Sequence, residues 1–311
     1  MSSYAKADWR EHDRRARTGW GLRAVYSVAR PWLGRAPRRL LSEELLRATS
    51  PDLVLFDRGF PLEHRRRWAT RGLDVRGSTL LIQGTGTGWD VVSWAELRPR
   101  RIVATDLFDF SESWEPIREH CRARYGVEVT FHAAPLEDHA FLADASIDLC
   151  ASDAVLEHCV DLDAVLAETA RVLRPGGRFY ASYGPLWYAP GGDHFSGRGG
   201  REHVYNHVLL DPPAYRAYFE AQRRPEEDFQ SGGRYVELDL FSKMTTRDYL
   251  AAFARQGFER DGLVLFASRN AAWFRLHRSR EWGRLVHRIY PRASPDDLMV
   301  WAHLARLTKP R

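Results

Sequence analysis

Between residues 79 and 183 the chain alternates short, mostly apolar runs with segments of helical period. Thr79 to Ile82 forms a continuous run with no polar alternation, which predicts a strand buried on both faces. Arg101 to Thr105, Val127 to His132, Ile147 to Ser152 and Arg178 to Tyr183 predict further strands. Leu162 to Leu173 reads instead as a helix, with Leu162, Val165, Leu166, Ala170 and Leu173 on one side. Strands alternating with helices in this way imply an α/β domain with a mostly parallel sheet and helices on both faces. Residues 1–75 show helical patterns broken at Pro31, Pro37, Pro51 and Pro61, and predict a helical amino-terminal cap. Residues 76–184 are then the core. Residues 185–242 form a glycine-, proline- and aromatic-rich insertion too long for a simple connection, which predicts a cover over the substrate. Residues 243–311 complete the sheet. Thr245 or Thr246 caps a helix reaching Gln256-Gly257, Phe258 to Phe266 is a strand, and Asp297 to Thr308 is the last one.

The first strand ends abruptly in Gly84, Gly86 and Gly88, with a helix expected from about Gly88. Glycines there let the backbone turn sharply and approach a ligand. A dinucleotide turn would read GxGxxG, but Trp89 stands where its last glycine belongs. Asp106 follows the next strand, near the offset at which a carboxylate reaches both hydroxyls of a ribose. Further on come Ala154-Val155-Leu156-Glu157-His158, and then Arg171-Val172-Leu173-Arg174-Pro175-Gly176-Gly177 closing a helix.

Over about Gly77 to Gly184, these landmarks in this order resemble a class I S-adenosylmethionine (SAM)-dependent methyltransferase, which has a GxGxG loop, an acid after strand 2, a VLEH-like tract and RVLRPGG. The resemblance implies a Rossmann-like, mostly parallel seven-stranded sheet, with SAM as cofactor. By that resemblance Gln83, Gly84, Thr85, Gly86 and Gly88 would pass beneath the methionyl part, Asp106 would hold the ribose, and Leu107 would lie against adenine. Asp153, in Ser152-Asp153-Ala154-Val155, and Ala134 would complete the cofactor site. Two positions depart from the family pattern. Gln83 replaces an acid, and Ala133-Ala134-Pro135 replaces an adenine-contacting aspartate, unless Asp138 reaches back. The reaction implied is in-line transfer of the SAM methyl group to a small molecule, with an oxygen nucleophile of a natural product or sugar as one acceptor class. Aminocarboxypropyl transfer or cyclisation of SAM, and a noncatalytic SAM-binding subunit, are the alternatives.

A hydroxyl acceptor needs a proton acceptor, and neutral imidazole suits that role near pH 7. His194, in Gly191-Gly192-Asp193-His194, follows the last strand of the core with Asp193 beside it and is the first candidate. His158 is the second, with packing or loop orientation as its competing role. His203 and His207 are weaker. Tyr183, Trp187 and Tyr188 are predicted to line an apolar substrate pocket, where aromatic faces also stabilise a sulfonium.

Composition narrows this picture little. The 311 residues are 44% hydrophobic and 12% aromatic, enough for a large core with an appendage. The net charge of +5 raises nucleic acid as a partner, with Arg38-Arg39 and Arg65-Arg66-Arg67 as candidate contacts. Yet Lys6, Lys243 and Lys309 are the only lysines, and no basic run interleaves with aromatics, so no nucleic-acid partner is predicted. Asp211-Pro212-Pro213-Ala214-Tyr215 echoes a DPPY signature of amino-methylating DNA enzymes, but with an extra residue and in the wrong place. It reads better as a helix start, with Asp211 as cap. Cys121, Cys150 and Cys159 lack metal-like pairing, so no metal is predicted. The polar start MSSYAKADWREHDRR has no apolar signal region, and no membrane span appears, so a cytoplasmic location is expected.

Overall fold

Apolar side chains on both faces of the central strands require a sheet covered on both sides, and the computed structural model shows that arrangement. It describes residues 34–56, 60–224 and 233–311, together with positions 10, 21, 24 and 29. One eight-stranded sheet has the order β1-β7-β8-β6-β5-β2-β3-β4. Its strands are β1 (Leu53–Phe56), β2 (Thr79–Gln83), β3 (Arg101–Asp106), β4 (Glu128–Ala133), β5 (Ile147–Asp153), β6 (Leu173–Tyr183), β7 (Glu259–Ala267) and β8 (Val300–Thr308). Only β8 runs antiparallel to its neighbours, lying between β6 and β7. Residues alternate between two cores as the pleat requires: Leu81, Val103 and Phe179 face one, and Leu80, Ile82, Ile102 and Tyr180 the other.

The sheet therefore has one strand more than expected. Leu53–Phe56, placed by sequence within the helical cap, pairs in parallel with Val264–Ala267 at the sheet edge. A four-residue apolar run flanked by helical patterns carries no period that separates strand from helix. Most of the rest of the expected cap, residues 1–33, lies outside the described residues apart from isolated positions. The strand Val127 to His132 is shifted by one residue to Glu128–Ala133. The strand placed at Arg178 begins at Leu173 instead. Leu173 pairs with Ile147 and Arg178 with Leu149, so Arg174-Pro175-Gly176-Gly177 bulges from the ladder.

Helix ends follow their caps. The Asp211 carboxylate accepts from the Ala214 N–H ahead of Pro212–Gln222, so this tract is a capped helix start. Thr245 closes a capping box with Asp248 over Thr246–Arg255. Two helices absent from the sequence reading, Arg269–His277 and Ser279–Ile289, fill the connection between β7 and β8. Among the described residues no helix is long and apolar enough to cross a membrane.

Strand order fixes where a ligand can bind. From β2 the chain moves outward to β3 and β4, then returns to the other side of β2 for β5 and β6. The crevice beyond the carboxyl ends of β2 and β5 is the switch point at which open α/β sheets bind ligands.

Candidate active site

A cavity of about 520 Å³ occupies that switch point. Its walls come from the turns after four strands: Gly84 to Thr87 after β2, Asp106 to Phe108 after β3, Pro135 to Glu137 after β4, and Asp153 to Val155 at the end of β5. His158, Tyr235 and Leu240 close one end.

The glycine turn is held rigidly. Gly84, Gly86 and Gly88 all have positive φ, at 66°, 51° and 91°. Thr85 donates its N–H to the Thr105 carbonyl at 3.0 Å, and its hydroxyl to Asp90 Oδ1 at 2.7 Å. Trp114 donates from Nε1 to the Gly86 carbonyl at 2.7 Å. A side chain at Gly84 would strike Val155, with Cβ only 2.3 Å from Val155 Cγ2, whereas a Cβ at Gly86 meets nothing within 4 Å. Gly84 therefore answers to packing within the protein, and Gly86 faces open space at the cavity.

Asp106 stitches β3 to this turn. Its Oδ2 accepts the Gly86 N–H at 2.6 Å, and its Oδ1 accepts the Phe108 N–H at 3.0 Å. Burial raises its pKa above the ordinary carboxylate value, and the backbone N–H groups oppose that shift. Each oxygen keeps a second lone pair for a ligand hydroxyl. Leu107 lies exposed at the rim, 54% accessible, with an apolar face toward the cavity.

Asp153 lines the cavity in a buried ion pair, accepting from Arg66 Nη1 at 2.6 Å and from the Tyr180 hydroxyl at 3.0 Å. The Arg66 guanidinium lies over the Trp94 ring at 4.2 Å and donates from Nε to Ser93. This central member of Arg65-Arg66-Arg67 is thus an interior residue with no surface for a phosphate backbone. Ala154, next to Asp153, holds φ at +58°, a strained backbone of the kind found at binding sites.

Burial and the nearby Asp153 charge push Asp90 up from 3.8 to about 7, against donation from Thr85. Between those pH values the folded protein keeps a proton that the unfolded chain has lost, so stability falls as pH rises from about 4 through 7. Asp90→Asn removes this titration. The variant should gain stability on the native protein with rising pH, approaching about 4 kcal/mol by pH 8 and little near pH 4. Denaturant midpoints at the two pH values check this, and an equal change at both would exclude Asp90 as the titrating group.

Several residues expected at the site lie elsewhere. Gln83 is fully buried but turned away from the cavity, donating to Thr169 Oγ1 at 3.0 Å. Gly88 caps the helix Trp89–Ala95 and packs against Ile117, Phe131 and Trp114. Ala134 spends its N–H on the Asp106 carbonyl, while its neighbours Pro135, Leu136 and Glu137 form the wall. Asp138 takes the Ala140 N–H instead of reaching back. Tyr183 is sealed in the core, its hydroxyl 3.0 Å from His303 Nδ1. Trp187 carries Lys243 over its ring at 5.0 Å and gives its carbonyl to His207, and Tyr188 lies near Arg292 and Asp248. None of these three aromatics lines the cavity. Aromatic residues after a strand end mark packing as readily as a pocket, and composition alone does not separate the two.

Of the two histidines, His158 reaches the cavity wall, and His194 sits behind it with the rings 4.7 Å apart. Burial lowers His158 to about 4, and burial with the His158 charge lowers His194 to about 3. No hydrogen bond joins Asp193 to the His194 ring, so the expected support of His194 by its neighbour is not part of this geometry. Asp193 instead accepts from the Phe195 and Ser196 N–H groups, the Ser196 hydroxyl and the Tyr215 hydroxyl. The missing partner is Glu157, a landmark in the sequence motif with no role given to it there. It is buried beneath the two rings, its Oε1 accepts the Gly184 N–H at 3.0 Å, and burial raises its pKa to about 8. Tyr235 and Leu240, also missed, come from the insertion and lack any motif of their own.

Fold, glycine turn and acid after β3 together define a Rossmann-like nucleotide-binding domain open at its switch point. Residues 81–181 match the family described as a methyltransferase domain, and this segment is a class I, SAM-dependent methyltransferase domain. Malonyl-[acyl-carrier protein] O-methyltransferase from Serratia marcescens is 37% identical over 101 residues, 32% of this chain and 36% of that protein. An uncharacterized methyltransferase from Mycolicibacterium gilvum is 31% identical over 164 residues, 52% of this chain and 58% of that protein. The chain thus covers about a third to three-fifths of these relatives' own length. A solved S-adenosylmethionine dependent methyltransferase from Mesorhizobium loti covers 76% of this chain and 92% of its own, at 19% identity and a TM-score of 0.43.

Proposed function

We propose that this chain transfers the methyl group of SAM to an oxygen nucleophile of a small molecule bound in the switch-point cavity. The observation carrying this reading is the convergence of the Gly84–Gly86 turn, Asp106 and Leu107 on one cavity whose far end is closed by His158, Tyr235 and Leu240. Its size falls in the range that encloses a cofactor-sized ligand. In this reading Asp106 holds the ribose hydroxyls, Leu107 covers the adenine, and the Gly84–Gly86 backbone carries the methionyl part. The sulfonium methyl then points toward the His158 end, where the acceptor enters. SAM arrives activated, so the protein contributes position and exclusion of water more than covalent chemistry. Tyr235 and Leu240 of the 185–242 insertion line the same cavity, which supports a covering role for that segment. An oxygen acceptor is supported by the malonyl-[acyl-carrier protein] O-methyltransferases among the relatives.

Mass analysis of SAM incubated with the purified chain and a panel of carboxylic and hydroxylic acceptors tests the reading. The expected result is S-adenosylhomocysteine, with one acceptor gaining a single methyl group. Release of methylthioadenosine, with an aminocarboxypropyl group gained by the acceptor or cyclised, would replace methyl transfer with the alternative chemistry.

A further inference from the structure

Three groups cluster where His158 lines the cavity, and the reading above assigns no chemistry to them. Glu157, His158 and His194 each offer one ligand atom, and these atoms lie within 4.8 Å of one another. Two of the three residues present sealed polar atoms without a hydrogen-bond partner, Glu157 Oε2 and His194 Nε2. Leaving such atoms unpaired in the interior is costly, and each calls for an explanation.

Their surroundings orient all three toward one point. His158 Nδ1 lies 2.8 Å from the Leu240 carbonyl, which fixes the proton on Nδ1 and leaves the Nε2 lone pair free. A backbone carbonyl on the far nitrogen is the usual support of a metal-bound imidazole. The Gly184 N–H occupies Glu157 Oε1 and leaves Oε2 available. His194 holds a left-handed backbone at φ +57°, unusual for a residue with a side chain. The hydrogen bonds to Asp193 impose it, together with Gly192, where any Cβ would come within 2.2 Å of the Trp187 carbonyl. Tyr235 stacks on His158 at 3.9 Å, and Phe241 lies 6.2 Å from His194, giving the cluster an apolar aromatic lining.

We propose that Glu157, His158 and His194 bind a divalent transition-metal ion, zinc or ferrous iron by ligand type, at the acceptor end of the cavity. Two imidazole nitrogens and one carboxylate oxygen suit these ions and leave coordination positions open. Since His158 lines the cavity, an ion held by it would lie beside that cavity. A ligand imidazole must be neutral, and a dication offsets the buried carboxylate. The ion's role, unlike the site itself, rests on the methyl-transfer reading. An acceptor hydroxyl bound to the ion releases its proton to water. The oxygen then forms the O–C bond as the S–C bond breaks, and sulfur keeps the electron pair as a neutral thioether.

Binding can be read without turnover, so the site stands or falls independently of the enzyme's reaction. Chelator-treated protein is titrated with Zn²⁺ by calorimetry, and with Co²⁺ by visible absorption. The expected result is one equivalent per chain, with the d–d bands of low-coordinate cobalt. His194→Ala and Glu157→Gln should each weaken uptake by about 100-fold or more. S-adenosylhomocysteine affinity measured on the same samples reports an intact cofactor site. No uptake by the native chain, or uptake unchanged in both variants, would overturn the proposal. The cobalt spectrum of the native chain decides the matter even if a variant fails to fold.

Discussion

Gly84→Val is expected to abolish measurable binding of SAM and S-adenosylhomocysteine, whereas Gly86→Ala should fold normally and lose affinity only through the ligand. At Gly84 two penalties combine. The residue sits at φ +66°, which costs a side chain about 1 to 2 kcal/mol, and its Cβ would overlap Val155 at 2.3 Å. The turn must then shift, and with it the backbone that would face the cofactor. At Gly86 a Cβ meets no protein atom within 4 Å, so the φ of +51° is the main internal cost. Calorimetry with S-adenosylhomocysteine, beside thermal melts, separates the cases. The milder Gly84→Ala combined with Val155→Ala should recover part of the lost affinity, because the steric term is pairwise and the backbone term is not. Binding within threefold of native in Gly84→Val would show that the cofactor lies elsewhere.

The second large effect is expected at Asp106. Asp106→Ala should weaken S-adenosylhomocysteine by about 1.5 to 3 kcal/mol, the worth of hydrogen bonds to a charged group. Part of this loss is indirect, since the Asp106 carboxylate also holds the Gly86 N–H. Asp106→Asn keeps an acceptor for one backbone N–H while removing the charge. It should fall between native and alanine if the ribose hydroxyls are the partners. Adenosine alone should show the same proportional loss as the whole cofactor product, because the contact is to the part they share. Unchanged affinity in Asp106→Ala would remove the ribose assignment.

What the sequence determined by itself was everything carried by local pattern. Continuous apolar runs such as Leu80 to Ile82 fixed the buried strands, because a parallel strand covered on both faces has no polar alternation to disguise it. The capped helices at Asp211 and Thr245 were equally legible, since each cap depends on neighbours within a few residues, and the glycine turn and Asp106 were legible from their spacing after apolar runs. The direction of side chains at the site was not. Gln83 and Tyr183 end strands that point at the cavity, yet their side chains turn inward to Thr169 and His303. That choice is made by packing partners 86 and 120 residues away. The edge strand Leu53–Phe56 likewise exists only because β7 offers it a ladder. The meeting of Glu157, His158 and His194 is tertiary too: two adjacent residues after β5 meet a third from the insertion, held there by a strained loop no periodicity reveals. Local pattern thus specified the glycine turn, while the burial that left Glu157 Oε2 and His194 Nε2 without partners arose only when the strands closed into one sheet.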